Sequence, residues 1–69
     1  MTISNLSGCS TEYPNDSIQT VSFPKAKEVF SLDECAGNDV SPDATIIFIC
    51  FKDGSTATFE ACNWYITEL

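Results

Sequence analysis

Carboxylates dominate the chemistry available to this chain of 69 residues, which carries ten aspartates and glutamates but no histidine and no arginine. Four of the acids, Asp33, Glu34, Asp39 and Asp43, fall within the segment 33–43. A carboxylate pair acts as general acid and base only where a pocket raises a pKa, and this polar stretch offers none. Without histidine, neither a Cys–His nor a Ser–His nucleophile can form. The sequence therefore predicts a protein that is not an enzyme.

Metal binding is also not expected. The oxygen-rich segment 33–43 lacks the Asp-x-Asp-x-Asp-Gly spacing and the terminal bidentate glutamate of a calcium loop. The four cysteines, Cys9, Cys35, Cys50 and Cys62, are too widely spaced for a zinc-binding pair. We predict no metal and no cofactor, with reduced thiols in an intracellular protein. The alternative is an exported binding module that two disulfides stabilise.

The charge of the chain restricts its partners. Only Lys25, Lys27 and Lys52 oppose the acids, which leaves a formal net charge of −7. Affinity for phosphates comes from lysine and arginine, so direct binding to nucleic acid or to an anionic membrane is not expected. No apolar run approaches the ~20 residues that cross a bilayer, and the N-terminus has no signal-peptide pattern. We therefore expect a soluble, cytoplasmic protein that binds a basic surface of a protein or ribonucleoprotein complex.

The acidic segment suggests how such a surface would be bound. Carboxylates on a helix end and the following loop can lie at separations similar to those of neighbouring phosphates. No arginine is present to neutralise them. Asp33, Glu34, Asp39 and Asp43 are therefore candidate partner-binding residues of a DNA mimic, and Trp64 and Tyr65 are a second candidate contact.

A β-hairpin is the strongest structural signal around this segment. The apolar run 46–51 meets the turn Lys52-Asp53-Gly54-Ser55, and a return strand follows over 56–62, with a continuation predicted through 64–66. Because the first strand is apolar on both faces, it is predicted to be central in its sheet, or to have its second face covered by a partner.

The register of this hairpin depends on the length of its loop. A two-residue loop at Asp53-Gly54 places the apolar side chains of the return strand beside Ile46, Phe48 and Cys50. A three-residue loop with glycine in a bulge shifts the register by one and places them beside Ile47, Ile49 and Phe51. The two-residue loop is the preferred interpretation. The return-strand residues on the core face are the same in both cases: Ala57, Phe59 and Ala61.

A helix is predicted to begin at Ser22-Phe23-Pro24, since serine can cap and proline is tolerated in the first turn. The capping-box pattern Ser31-Leu32-Asp33-Glu34 predicts that this helix stops or kinks at Ser31 and restarts. Gly37-Asn38 then ends it. The less favoured interpretation makes 26–31 a strand.

The predicted architecture follows from the order of these elements. Residues 1–16 read as an N-terminal arm with room for a short edge strand over 2–6, and 17–69 as a single domain beginning with a strand at 17–21. The fold class is α+β. We predict a three-stranded, mostly antiparallel sheet in β-α-β-β order, with one helix packed on one face.

This build resembles that of the small phage-encoded inhibitors of bacterial defence, the anti-CRISPR proteins. The features that carry the resemblance are short length, acidity, the Ser-Phe-Pro-Lys-Ala-Lys helix opening and the hairpin, over residues 17–66. The family shares no diagnostic motif. The resemblance implies a phage protein acting in the host cytoplasm, where it would bind a CRISPR effector and block its DNA-binding channel or PAM-reading surface.

An interaction protein of another class is the alternative to an inhibitor. Trp64, Tyr65 and Ile66, together with the second face of the sheet, offer a surface through which the chain would form a homodimer.

Overall fold

A computed structural model describes residues 1–68, which form six strands, two short α-helices and one 3-10 turn. The strands are β1 (Thr2–Asn5), β2 (Ser10–Glu12), β3 (Ile18–Ser22), β4 (Ile46–Phe51), β5 (Thr56–Glu60) and β6 (Trp64–Glu68). The helices are α1 (Ala26–Val29) and α2 (Leu32–Gly37), and the 3-10 turn is Asn15–Ser17.

The first sheet contains the predicted hairpin. Its strand order is β3-β4-β5, with both pairs antiparallel, so the apolar run is the central strand, as predicted. Together with the helices between β3 and β4, this sheet confirms the α+β class and the strand–helix–strand–strand order within residues 18–60.

The preferred hairpin register is wrong. Ile47 lies opposite Phe59 and Ile49 opposite Ala57, as the three-residue loop requires. The N–H of Phe51 donates to the carbonyl of Ser55 (2.9 Å), and the N–H of Gly54 donates to the carbonyl of Phe51 (3.0 Å). Gly54 has φ of 92°, a left-handed conformation that glycine adopts without steric cost. Consequently Ile47, Ile49 and Phe51 face the main core, whereas Ala61 lies beyond β5 and is exposed.

A second sheet was not predicted. Its order is β2-β1-β6, again antiparallel. The predicted N-terminal arm therefore supplies two strands, and the strand predicted at the edge, β1, is central. The return strand of the hairpin ends at Glu60, and residues 64–68 form β6 of this second sheet instead of a continuation. The single-sheet β-α-β-β prediction is therefore incomplete, because two distant segments of the chain build a sheet of their own.

The main core lies between the two sheets. Met1 and Ile3 from the β1 end pack with Ile47 and Ile49 of β4. Eight partly buried apolar side chains surround this cluster: Tyr13, Ile18, Val21, Phe51, Ala57, Phe59, Trp64 and Ile66. The face of β4 that carries Ile47, Ile49 and Phe51 is thus covered by the chain's own second sheet.

A register shift in β3 places both of its apolar residues in this core. Ile18 lies opposite Phe51 and Val21 opposite Ile49, with the irregularity between Ile18 and Thr20. Residues three apart on a regular strand point to opposite faces, and an extra residue in the ladder brings them to the same face.

The helices are shorter than predicted and begin later. Ser22 ends β3 opposite Phe48, and the N–H of Ile46 donates to the carbonyl of Pro24 (2.8 Å). This pairing keeps residues 22–24 extended, so α1 begins only at Ala26. The predicted interruption at Ser31 is confirmed, because the chain is extended there and restarts as α2. Residues 26–29 are helical, which excludes the strand interpretation for most of 26–31.

A second, smaller core lies under the helices, on the other face of β4. Ala26 and Cys35 pack on Ile46, with Phe30 and Val40 at the edge. The helices thus bury only one end of this face, and Phe48 further along β4 remains half-buried.

Candidate functional site

The first turn of α2 presents two of the predicted carboxylates. Glu34 is held by a capping box: its N–H donates to Ser31 Oγ (3.1 Å), and its Oε1 accepts the Ser31 N–H (3.3 Å). Asp33 lies beside it, and both residues are exposed. Negative charge at a helix N-terminus interacts favourably with the unpaired N–H groups there, so the position of these acids also stabilises the helix start.

The other two acids follow α2. Asp39 has φ of 57°, and the next residue anchors the loop through an N–H bond from Val40 to the carbonyl of Cys35 (2.8 Å). Asp43 Oδ1 lies 3.1 Å from Lys27 Nζ. Asp43 is therefore partly neutralised, whereas Asp33, Glu34 and Asp39 have no cation partner among the described residues.

Trp64 and Tyr65, the second predicted contact, lie on opposite faces of β6. Trp64 belongs to the shell of the main core and packs on Phe59, with ring centroids 5.0 Å apart. Tyr65 pairs with Ser4 and is 48% exposed on the outer face of the sheet. Successive strand residues point to opposite faces. The two aromatic side chains therefore do not form one surface, and Ile66 is directed into the core with Trp64.

A groove connects α2 with the ends of β5 and β6. Its volume is about 370 Å³. The lining residues are Phe30, Glu34, Cys35, Asn38, Val40, Ile46, Thr58, Phe59, Glu60, Asn63 and Trp64. This volume is at the small end of the ~300–1,000 Å³ typical of ligand pockets, so the groove suits one or two side chains of a partner better than a large cofactor.

The chemistry of the groove is a set of polar groups around an apolar floor. Two glutamates, Glu34 and Glu60, and two asparagines, Asn38 and Asn63, are among its lining residues. One amide is already engaged, since Asn38 Nδ2 donates to the carbonyl of Glu34 (2.9 Å). No lysine lines the groove. The arrangement is therefore one that favours a cation with an apolar or planar body.

The groove joins two of the six predicted site residues. Glu34 and Trp64 both line it, whereas Asp33, Asp39 and Asp43 lie outside its lining and Tyr65 faces away. Glu60 was missed by the sequence analysis. The available signal was its strand position: opposite Ile46 in the register found here, Glu60 shares the face that the helices partly cover.

Asp53 has a lowered pKa, and its carboxyl takes part in the hairpin turn. The Ser55 hydroxyl donates to Asp53 Oδ1 (2.6 Å), and the Ser55 N–H donates to the same oxygen (2.9 Å). These bonds lower the pKa of the Asp53 carboxyl from its ordinary value of 3.8, and the bond from the hydroxyl has the larger effect.

All four cysteines are free thiols: Cys9 and Cys62 are exposed, Cys50 is half-buried and Cys35 is buried in the smaller core. Residues 1–68 contain no cluster of three cysteine or carboxylate side chains arranged to hold a metal ion. No helix within this part of the chain is long and apolar enough to cross a membrane.

The fold and the groove together define a small acidic α+β protein with two packed sheets and a polar-rimmed groove beside its second helix. Comparisons with protein-family models, with curated proteins and with solved structures find no match to this chain.

Proposed function

We propose that this protein is an acidic binding protein that occupies the basic, nucleic-acid-binding surface of a protein or ribonucleoprotein complex and thereby inhibits it. The observation that carries the proposal is the exposed carboxylate set on α2 and its following loop. Asp33, Glu34 and Asp39 lie there without a cation partner among the described residues.

Rigidity and charge support this proposal together. A phosphate mimic needs charges that keep their separations, and the α2 segment is held in place at two points. The capping box holds its start, and Cys35, under the helix, is buried in the smaller core. The net charge of −7 adds long-range attraction toward a basic partner, which raises association rates at low salt.

An exposed apolar side chain beside the acids also suits a protein partner. Leu32, the first residue of α2, is 65% exposed next to Asp33. Specific protein interfaces combine charged rims with apolar contacts. An acidic surface beside an exposed leucine is therefore suited to contact with a protein partner.

The more specific form of the proposal is that the complex is a CRISPR effector, that the chain is a phage protein of the anti-CRISPR type, and that it acts in the host cytoplasm. Its support is the small acidic build described from the sequence. The type of effector follows from the assay below, run on effectors of different types.

The test is competition between this protein and target DNA for a purified effector, measured over a range of salt concentrations. We expect binding of the protein to displace DNA and to weaken steeply with salt, since exposed charges are screened over ~10 Å at ~0.1 M. The variant combines Asp33→Asn, Glu34→Gln, Asp39→Asn and Asp43→Asn. Asparagine tolerates the left-handed conformation of Asp39, and glutamine keeps the capping box, so the fold should be retained.

The control variant carries Glu12→Gln and Glu68→Gln, two exposed acids in β2 and β6. We expect the four-acid variant to lose inhibition and the control to keep most of it. Equal loss in both would indicate bulk charge instead of a local mimic. Full inhibition by the four-acid variant would overturn the proposal.

A further inference from the structure

The groove beside α2 contains a carboxylate that the acidic segment does not include. Glu60, on the edge strand β5, lines it together with Glu34 from α2. Glu60 is half-buried, and its Oε2 has only a weak contact from the Cys62 thiol (3.7 Å). Two glutamates from separate elements thus line one groove, which no lysine lines. One oxygen of Glu34, Oε1, accepts the Ser31 N–H, which leaves its second oxygen for a further donor.

Trp64 also lines this groove. The indole ring is held by its contact with Phe59, at a centroid distance of 5.0 Å and an interplanar angle of 53°. An aromatic ring held in place can offer its face to a cation without losing conformational freedom on binding. Cation–π contacts of this kind are most favourable with tryptophan and are most often made by arginine.

We propose that this groove binds an arginine side chain of a partner protein. A guanidinium is planar, so it can stack on an indole while its N–H groups bond to carboxylates, and it is weakly hydrated, so it enters a half-buried site at low cost. A lysine ammonium matches the charge but neither the stacking nor the fork geometry. Asn63, which also lines the groove, offers an amide oxygen to a further N–H group.

This inference rests on the proposed function, since the arginine would belong to the basic surface that the carboxylates of α2 approach. It adds a specific anchor to that surface. Exposed acids give attraction with little geometric preference, whereas a groove with Glu34, Glu60 and Trp64 selects one side-chain type.

The experiment uses the intact protein and needs no effector complex. Trp64 is the chain's one tryptophan, so its fluorescence and its indole N–H resonance report on this groove directly. The probe is a short blocked peptide, Gly-Arg-Gly-Arg-Gly. The comparison peptides carry lysine, or the uncharged arginine isostere citrulline, at the same positions. We expect the arginine peptide to shift the indole signal, with weaker binding of the lysine peptide and no response to the citrulline peptide.

Matched variants locate the effect. Glu34→Gln keeps the capping box, and Glu60→Gln keeps the side-chain length, so each removes a charge while retaining the fold. We expect each variant to raise Kd of the arginine peptide about two- to fivefold, the range for a partly exposed charge pair, and the double variant about tenfold. Glu12→Gln, outside the groove, should leave Kd unchanged.

Three results would overturn the inference: no response of Trp64 to the arginine peptide, equal binding of the arginine and lysine peptides, or an equal loss in Glu12→Gln and Glu60→Gln. None of them bears on the competition with DNA, which tests the proposed function separately. Conversely, binding of the arginine peptide with no displacement of DNA would support the specificity of the groove for arginine and contradict the proposed inhibitory function.

Discussion

The ring of Phe59 in β5 packs on the indole of Trp64 in β6, with centroids 5.0 Å apart, and this contact joins the two sheets. Tyr13 also approaches Phe59, with ring centroids 6.4 Å apart. Aromatic pairs of this geometry contribute about 0.5–1.5 kcal/mol beyond their buried area. Since Trp64 also lines the groove beside α2, the stability of the core and the shape of the candidate site depend on the same side chain.

Truncation of Phe59 should therefore destabilise the protein strongly. We expect Phe59→Ala to lower the free energy of unfolding by about 3–5 kcal/mol, a large part of the stability of so small a domain. Phe23→Ala is the matched control, because Phe23 is 60% exposed and should change stability little. Thermal or urea unfolding measures both. An unchanged midpoint for Phe59→Ala would show that the sheets are not joined through this ring.

The N-terminal strand provides a second test. Ile3 is fully buried and lies opposite Ile66 in the second sheet, so Ile3→Ala should cost about 2–5 kcal/mol. Leu6→Ala, three residues later, removes a side chain that is 75% exposed and should change stability by less than about 0.5 kcal/mol. Similar small effects for both variants in urea unfolding would mean that residues 1–16 behave as a detached arm.

The two glycines Gly54 and Gly37 should respond to alanine in opposite directions. Gly54 has φ of 92° in the hairpin loop, so Gly54→Ala should destabilise by about 1 kcal/mol or more. Gly37 ends α2 with open space where an added Cβ would lie and no left-handed φ, so Gly37→Ala should stabilise by about 0.5–1 kcal/mol. For a domain of this size, 1 kcal/mol moves Tm by roughly 4–8 °C. Tolerance of alanine at Gly54 would contradict the left-handed conformation described for this residue.

The lowered pKa of Asp53 predicts how the hairpin responds to acid. The Ser55 hydroxyl bonds to the charged carboxylate, so the stabilisation is present above the ordinary pKa of 3.8 and is lost as pH falls through the lower, folded-state pKa. A carbon-detected NMR titration should find the midpoint of Asp53 below 3.8 and find it raised by Ser55→Ala. Ser7→Ala should leave it in place, and the same midpoint in all three proteins would contradict the turn described here.

The local features of this fold could be predicted because neighbouring residues determine them. The apolar run 46–51 and Asp53-Gly54 specify a hairpin with a central strand, whatever packs on it. Ser31 and Glu34 lie one helical turn apart, so they specify the restart of α2 through bonds within four residues. The net charge of the chain, and the carboxylates on which the proposed function depends, are likewise properties of composition.

Tertiary structure decided the rest. Strand β1 pairs with β6 from the other end of the chain, and no local pattern identifies a partner at that distance. The hairpin register was open because Ile46–Phe51 is apolar on both faces, so alternation gave no preference. The second sheet settled it by covering Ile47 and Ile49. Packing of α2 on Ile46 then placed Glu34 in the same groove as Glu60 and Trp64, residues that the sequence keeps far apart.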